Sequence, residues 1–445
     1  MTRWPCIADR RVVWRGQLLV FVMGTMLAPW AGAQQAPSAI SFRKAIELAL
    51  THSAGMGIAM ADEIKARQSY LESRNAFIPQ ITLGSGVGQT WGYPMSIEGS
   101  APSVFNITSQ SSLFNPAQLR FTRAARTDWS AADLSAADQR SAVILETALT
   151  YLQLDQTTGK RALLQQAAEE AERAEAASRA RLQEGINSKV DVARAALTAA
   201  RMRMRLAEAQ GSADLLRQRL AQLTGLDAHT LDTDGSSIPP RPEISQQDDL
   251  AARAADNNPA VKAAEEKAKA RELQAQGEHR LLYPTVDLAG NYGLFSKYNN
   301  LNLLFPQGQF SRNNATFGVD IRFGFLNAVQ RARVQAANAE ALRARSEARA
   351  LREQLSNDTL KLQRTVQQLA AARDVAQLEA ELAQSNIDAV QAKVETGAAT
   401  ITDQQNARIE ASNKQAALFD AQFDLDRTRL QLLRTTNDLE KWALP

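Results

Sequence analysis

The chain is written twice. Leu113-Phe114-Asn115-Pro116-Ala117-Gln118 returns as Phe325-Leu326-Asn327-Ala328-Val329-Gln330, and Arg181-Leu182-Gln183-Glu184-Gly185 returns as Lys393-Val394-Glu395-Thr396-Gly397, each displaced by the same 212 positions (113 to 325, 185 to 397). Upstream, Phe77-Ile78-Pro79-Gln80-Ile81-Thr82-Leu83 matches Leu282-Tyr283-Pro284-Thr285-Val286-Asp287-Leu288 at an offset of 205 (79 to 284), so the second copy has gained seven residues in a loop between these anchors (205 to 212). Periods of about 20 to 50 residues mark solenoids. One duplication this long instead demands two similar halves of a single symmetric object.

The first 33 residues carry Arg3, Arg10, Arg11 and Arg15, then an uncharged run from Gln17 to Leu27, then Ala31-Gly32-Ala33. That order predicts a secretory signal peptide cleaved before Gln34, with a run too short for a membrane anchor. Of 51 Lys+Arg and 48 Asp+Glu, four Arg and Asp9 leave with the leader, so 47 cations stand against 47 carboxylates in the mature chain. Such a balance gives no reason to expect nucleic acid as a partner. The only cysteine, Cys6, leaves too, which removes disulfides, thiolate nucleophiles, thiolate metal ligands and a lipid-anchor cysteine after the cleavage site. No later segment is a run of about 18 apolar residues, so contact with a membrane has to be made through β-strands.

Each copy starts as helix, from Ser41 to Phe77 in the first, and stops at a proline. The period then changes to two. Ile81, Leu83, Ser85, Val87, Gln89, Trp91 and Tyr93 alternate with Gln80, Thr82, Gly84, Gly86, Gly88, Thr90 and Gly92, and after a Gly/Pro/Ser-rich turn Phe105, Ile107, Ser109, Ser111 and Leu113 alternate with Asn106, Thr108, Gln110 and Ser112. In the second copy Val286, Leu288, Tyr292 and Leu294 oppose Asp287, Ala289, Asn291 and Gly293, while Phe317, Val319, Ile321, Phe323 and Phe325 oppose Thr316, Gly318, Asp320, Arg322 and Gly324. Strands of about ten residues, apolar on one side and polar on the other, are the pattern of an outer-membrane barrel. A hairpin on a soluble core is the competing reading, but an inward face of Asp287, Asp320 and Arg322 suits water better.

The rest of each copy is helix of unusual length. Roughly 68 residues, from about Ala117 to Glu184 and again from about Ala328 to Thr396, span about 100 Å at 1.5 Å per residue. After the Gly185 and Gly397 breaks, helix resumes from about Val190 to Leu223 and from about Asp403 to Trp442. In the first copy the leading helix and the returning one, about 37 and 34 residues, sum to about 107 Å if stacked, so two short helices match one long one. Alanines at helical spacing (Ala193, Ala195, Ala196, Ala199, Ala200) allow close coiled packing. Four strands cannot close a barrel, since small single-chain barrels need eight. The chain therefore has to oligomerise, and three copies would supply twelve strands.

The duplicated helix–hairpin–helix layout, the Pro79-x-Ile81-x-Leu83 and Pro284-x-Val286-x-Leu288 segments, and the turns Gly185-Ile186-Asn187-Ser188-Lys189-Val190-Asp191-Val192 and Gly397-Ala398-Ala399-Thr400-Ile401-Thr402-Asp403 together resemble the TolC-type outer-membrane efflux channels of Gram-negative bacteria. The resemblance covers essentially the whole mature chain. It implies an α+β membrane protein: a homotrimer with a twelve-stranded outer-membrane β-barrel, four strands per chain, continued by a long periplasmic α-helical coiled-coil tunnel. It implies an exit duct working with a periplasmic adaptor (membrane fusion) protein and an inner-membrane pump of RND or ABC type. It places Gly185, Ile186, Asn187, Gly397, Ala398 and Ala399 at periplasmic tips where the adaptor docks. Asp403 matches the first aspartate of a constricting ring at the tunnel entrance; the second aspartate position is Asn406, and the aromatic and arginine locking positions fall on Val394 and Ala399. A ring of three carboxylates about one axis would attract cations and repel anions. Independently of the resemblance, Asp403 and Asp191 read as helix N-caps and the two glycines as helix C-caps.

The division expected is a signal peptide over 1–33, a first repeat over 34–223, a linker over 224–245 rich in Gly, Ser and Pro, and a second repeat over 246–445. No catalytic constellation stands out. His52, His229 and His279 are scattered without metal-ligand spacing. Gly84-Ser85-Gly86-Val87-Gly88 lies inside an alternating strand and opens no helix, so it is no phosphate loop. The reading is a channel, not an enzyme, with no cofactor and no metal. A stand-alone porin would need no tunnel, and a periplasmic coiled-coil scaffold would need no lipid-facing strands. The missing lipid-anchor cysteine leans toward the non-lipidated branch, which includes type I secretion ducts.

Overall fold

The structure, a computed structural model, describes residues 38–85, 103–240, 250–295, 313–325 and 327–444. The expected leader, the strand positions from Gly86 to Tyr93 and linker residues 241–245 lie outside the described residues. No described helix is long and apolar enough to cross a membrane.

The two copies build the same series of elements. The first runs through strand β1 (Ser38–Ile40), helices α1 (Phe42–His52) and α2 (Ala54–Asn75), strands β2 (Gln80–Gly84) and β3 (Ser103–Phe114), and helices α3 (Pro116–Gln183) and α4 (Lys189–Thr224). Strand β4 (Leu231–Thr233) follows, flanked by two short 3-10 turns. The second copy has α5 (Leu250–Asn257), α6 (Pro259–Arg280), β5 (Thr285–Phe295), β6 (Asn313–Arg322), α7 (Ala328–Glu395) and α8 (Ile401–Thr436), and α9 (Leu439–Ala443) ends it.

The repeated motifs are the punctuation of these helices. Asn115 and Asn327 cap α3 and α7, their side chains accepting from the amides of Gln118 (3.0 Å) and Gln330 (3.1 Å). The same glutamines reach sideways to the preceding short helix, Gln118 donating to the Ser73 carbonyl at 2.7 Å and Gln330 to the Glu278 carbonyl at 2.9 Å. One Asn-x-x-Gln segment thus starts each long helix and ties it to its neighbour. The equal lengths of α3 and α7, 68 residues or about 102 Å, follow from that shared register.

The leading helix is not continuous from Ser41 to Phe77 as expected. It breaks at Ser53, whose side chain accepts from the Met56 amide, and Asn258 makes the matching break in the second copy. Helix α1 then lies beside α3 and α4, with Phe42, Ala45 and Ile46 fully buried against Ile144, Ala148, Tyr151 and Leu220. Only α2 and α4 are left to extend along α3, 22 and 36 residues or about 87 Å, shorter than the 107 Å expected of the two stacked. The returning helix also ends earlier than Trp442: Asn437 adopts φ 64° after Thr436, and α9 follows.

The linker segment takes part in the core. β4 pairs in parallel with β1. The Tyr151 hydroxyl donates to the Ile40 carbonyl at 2.6 Å and accepts from the Asp234 amide at 2.8 Å, which fastens the segment to α3. Phe42 meets Tyr151 and Trp442 edge-on, each with centroids 5.4 Å apart, and the Trp442 indole donates to the Pro240 carbonyl at 3.0 Å. Aromatic surfaces with satisfied polar ends anchor this waist, which holds the largest buried apolar cluster among the described residues.

Strands β2, β3, β5 and β6 form one antiparallel sheet in that order. The two hairpins are therefore joined by β3 and β5, one from each copy, and the helices below follow the same lateral order, α2 on α3, α3 on α6, α6 on α7. Facing pairs Val286–Ile321 and Leu288–Val319 share the apolar side, where Phe317 is 80% exposed. The Phe317 ring lies over Gly290, 3.1 Å from where a Cβ would stand. On the other side Arg322 pairs with Asp320 at 2.7 Å and with the nearly buried Asp287 at 3.5 Å. The alternation read from sequence is thus a sheet with one apolar and one polar face.

Replacing Tyr151 by Phe leaves the Asp234 amide unpaired at a buried joint, so a loss of about 1–3 kcal/mol is expected. A lowered urea midpoint, with faster proteolysis between residues 225 and 249, is the predicted result; an unchanged midpoint would show that the linker segment does not lean on this hydroxyl.

Candidate functional site: the helical tips

Far from the sheet, two turns of matching design reverse the chain. Gly185 and Gly397 both adopt left-handed backbone, φ 78° and 74°. At the first, the Gly185 amide bonds to the Leu182 carbonyl (3.0 Å) and the Ile186 amide to the Arg181 carbonyl (2.8 Å). At the second, Gly397 bonds to Val394 (3.1 Å) and Ala398 to Lys393 (2.8 Å). This is the paired 5→2 and 6→1 closure of a Schellman motif, which needs a residue free to take positive φ. No atom lies within 4 Å of a Cβ built on either glycine, so backbone strain, not space, excludes other residues there.

Each returning helix then starts with a capping box. Ser188 and Thr400 are the N-caps, and Asp191 and Asp403 sit three residues on. The Asp403 carboxylate accepts from the Thr400 amide at 2.8 Å and its hydroxyl at 2.7 Å; Asp191 accepts from Ser188 in the same way, at 3.0 and 2.7 Å. The aspartates are therefore third-position partners of the cap and not the N-caps themselves, as the sequence had been read. The Ser-x-x-Asp and Thr-x-x-Asp spacing, a capping-box signature, is the sequence signal for that role.

Between the two motifs only a pair of residues remains on each tip. Ile186 is 69% exposed, while Asn187 donates to the Ser178 hydroxyl at 3.0 Å and is half-buried. Ala398 is exposed and Ala399 half-buried. Asp403 and Asn406 are both exposed on the first turns of α8. The hairpins α3–α4 and α7–α8 lie side by side through α3 and α8, and Arg408 stands 3.5 Å from Glu170. The tips thus present a rigid polar turn with one apolar side chain, Ile186, at the first and two alanines at the second. Among the described residues no group of His, Cys, Asp or Glu is arranged to hold a metal.

Hydrogen bonds from the Ser188 and Thr400 hydroxyls, then from their amides, hold the Asp191 and Asp403 carboxyls below the usual aspartate range. A carboxylate with a depressed folded pKa stabilises the fold above its unfolded pKa of about 3.9, and that contribution is lost as pH falls through the folded value. The expectation is that amide exchange at residues 185–191 and 397–403 accelerates selectively below about pH 4, and that Asp403→Asn removes the acid step at the second tip only. A pH-independent exchange pattern would contradict the capping-box account.

A sequence profile described as "Outer membrane efflux protein" matches residues 45–226 and 250–438, most of the chain and both copies. No curated protein sequence matches it significantly. Among solved structures, the Campylobacter jejuni CmeC outer membrane channel superposes with a TM-score of 0.75 at 13% identity, covering 95% of this chain and 94% of that one. The Vibrio cholerae outer membrane protein VceC gives 0.70 at 19%, covering 89% and 95%, and the open state of the Neisseria gonorrhoeae MtrE outer membrane channel gives 0.70 at 16%, covering 91% of each. At these identities the superpositions speak for the fold, and the profile match over both copies speaks for the family. The chain belongs to the outer membrane efflux protein family, a family of outer-membrane channels with a large periplasmic helical body and not of enzymes.

Proposed function

We propose that three copies of this chain close into one continuous tube, a twelve-stranded barrel in the outer membrane prolonged by a periplasmic helical tunnel, which serves as the exit duct of a pump. The observation that carries this reading is the open sheet. The apolar face of β2, β3, β5 and β6 suits lipid and the Asp287–Arg322 face suits water, but β2 and β6 each have one unpaired edge among the described residues. Backbone groups left open in hydrocarbon cost several kcal/mol each, so the edges have to meet those of other copies.

The helical body also calls for neighbouring copies. Helix α3 buries 17 of its residues and α7, of equal length, only six. Leu342, Leu360, Val375, Leu378 and Leu382 stand exposed on α7, and Ile58, Ile64, Leu197, Met204 and Leu215 on the opposite edge formed by α2 and α4. Two apolar margins on one chain are what a ring of copies would bury.

In this reading the repeats 34–223 and 246–445 flank a linker, 224–245, and Gly185, Ile186, Asn187, Gly397, Ala398 and Ala399 receive the adaptor. Asp403 and Asn406 line the tunnel mouth, where the free oxygen of each Asp403 would favour cations. The duct converts no energy; an inner-membrane pump of RND or ABC type selects the cargo. A stand-alone porin leaves a helical body of about 100 Å without a task, and a scaffold leaves the apolar sheet face without one.

The tips provide the test. Valine at both Gly185 and Gly397 forces β-branched residues into left-handed backbone, at about 1–2 kcal/mol per turn. Trimers of normal mass combined with loss of export, read as accumulation of a pump substrate in cells, are expected. Normal export by such trimers would overturn the docking role of the tips.

A further inference from the structure

Charge along the helical body is unevenly placed. Within about three turns of the sheet, residues 65–75, 116–126, 270–280 and 328–338 carry ten Lys and Arg against three Glu. The corresponding windows at the tips, 173–183, 189–199, 385–395 and 401–411, carry seven against six. The excess is therefore confined to one end of a body that is otherwise balanced.

It is also unpaired. Arg120, Arg123, Arg126, Arg280, Arg331 and Arg333 form no ion pair with a carboxylate among the described residues, although ion pairs run along the rest of the helices. Partial burial, then the like charges of Arg280 and Arg123, push the Arg120 pKa below the ordinary arginine value. A fold that crowds like charges with few carboxylates among them loses stability there unless an external anion supplies the balance.

The crowded side faces away from the neighbouring helices. On α3, Gln118 and Thr122 turn toward Ser73 of α2, and Phe121 turns toward Gly277 of α6. At about 100° per residue, Arg120 and Arg123 lie on the wide arc opposite both contacts, which in a closed tube is its outer wall. Along the α2–α3 seam at the same end of the body, Arg67 sits over the Trp129 ring at 6.0 Å, Tyr70 stacks on Trp129 at 5.9 Å, and Arg74 sits over Tyr70 at 5.9 Å. Cations interleaved with amphipathic aromatics are characteristic of the headgroup level of a bilayer.

We propose that this collar at the helix–sheet junction binds the phosphate groups of anionic phospholipid in the periplasmic leaflet of the outer membrane. The proposal rests on the outer-membrane placement of the sheet. Guanidinium groups take phosphate oxygens bidentately, and each cation near an anionic surface adds to the attraction. The lipid would supply the missing counter-charge and fix how deep the sheet sits.

The test uses full-length protein extracted from outer membranes in mild detergent and titrated with mixed micelles of phosphatidylglycerol or phosphatidylcholine, with bound lipid counted by native mass spectrometry. Wild type is expected to retain phosphatidylglycerol about tenfold better than the triple variant Arg120→Gln, Arg123→Gln, Arg126→Gln. A tip control, Arg173→Gln, Arg179→Gln, Arg181→Gln, should behave as wild type. The triple lysine variant at the collar keeps the charge and should stay within about threefold of wild type, which separates lipid binding from a folding defect. Equal retention by the glutamine collar variant overturns the proposal. So does unchanged retention with altered ion selectivity in planar bilayers, since that would place the arginines in the lumen. A wild-type protein missing from the outer-membrane fraction overturns the placement itself, a result distinct from a failed lipid preference.

Discussion

A strand edge with unpaired amides and carbonyls would have no partner in hydrocarbon, and among the described residues the sheet leaves one edge of β2 and one of β6 unpaired. Most of the architecture can be read as a consequence. The hairpins cannot close alone, the apolar face cannot remain in water, and the helices leave the sheet in the strand order that pairing imposed. Joining β3 to β5 makes the two repeats neighbours across a long antiparallel ladder, with register shifts at Ser103/Phe105 and Ser112/Phe114. Duplication is the simplest way for one chain to supply equivalent hairpins around an axis.

The helical body obeys a second constraint, that a column about 100 Å long has no core of its own. Small side chains carry the packing near the tip, where Ala167, Ala168, Ala171, Ala199 and Met202 form a separate cluster. The larger buried groups collect at the waist, around Phe42, Tyr151, Leu154 and Leu430. Stability is therefore concentrated where α1, β1, β4 and α9 wrap the middle of α3. The tips depend on local closure instead: positive-φ glycines, a Schellman motif and a capping box. That separation leaves the ends exposed while the waist holds the columns together.

Much of this was legible in the residues. The offset between repeated segments predicted equal long helices, and period-two alternation predicted the faces of β3, β5 and β6. The repeated Gly segments marked the stops because their chemistry is local, whereas the Asn-x-x-Gln segments were legible as repeat anchors and became helix starts only with the Asn115 and Asn327 caps in view. What was not legible depended on distant partners. The break at Ser53 is invisible in helical periodicity, because it is set by α1 turning aside to pack on α3 and α4. Strand β4 was hidden in a Gly- and Pro-rich linker, since three residues pairing with β1 leave no pattern. Asp191 and Asp403 were placed in the right turns but one role away, because a cap and its third-position partner differ only in which hydroxyl faces which amide.

The central claim is that one chain is a third of a closed tube. The most direct measurement is the mass of the mature protein, extracted from outer membranes in mild detergent, by light scattering corrected for bound detergent. Three chain masses are predicted, since only other copies can cover the edges of β2 and β6. A stable monomer, or a chain released with the soluble periplasm, would contradict the account.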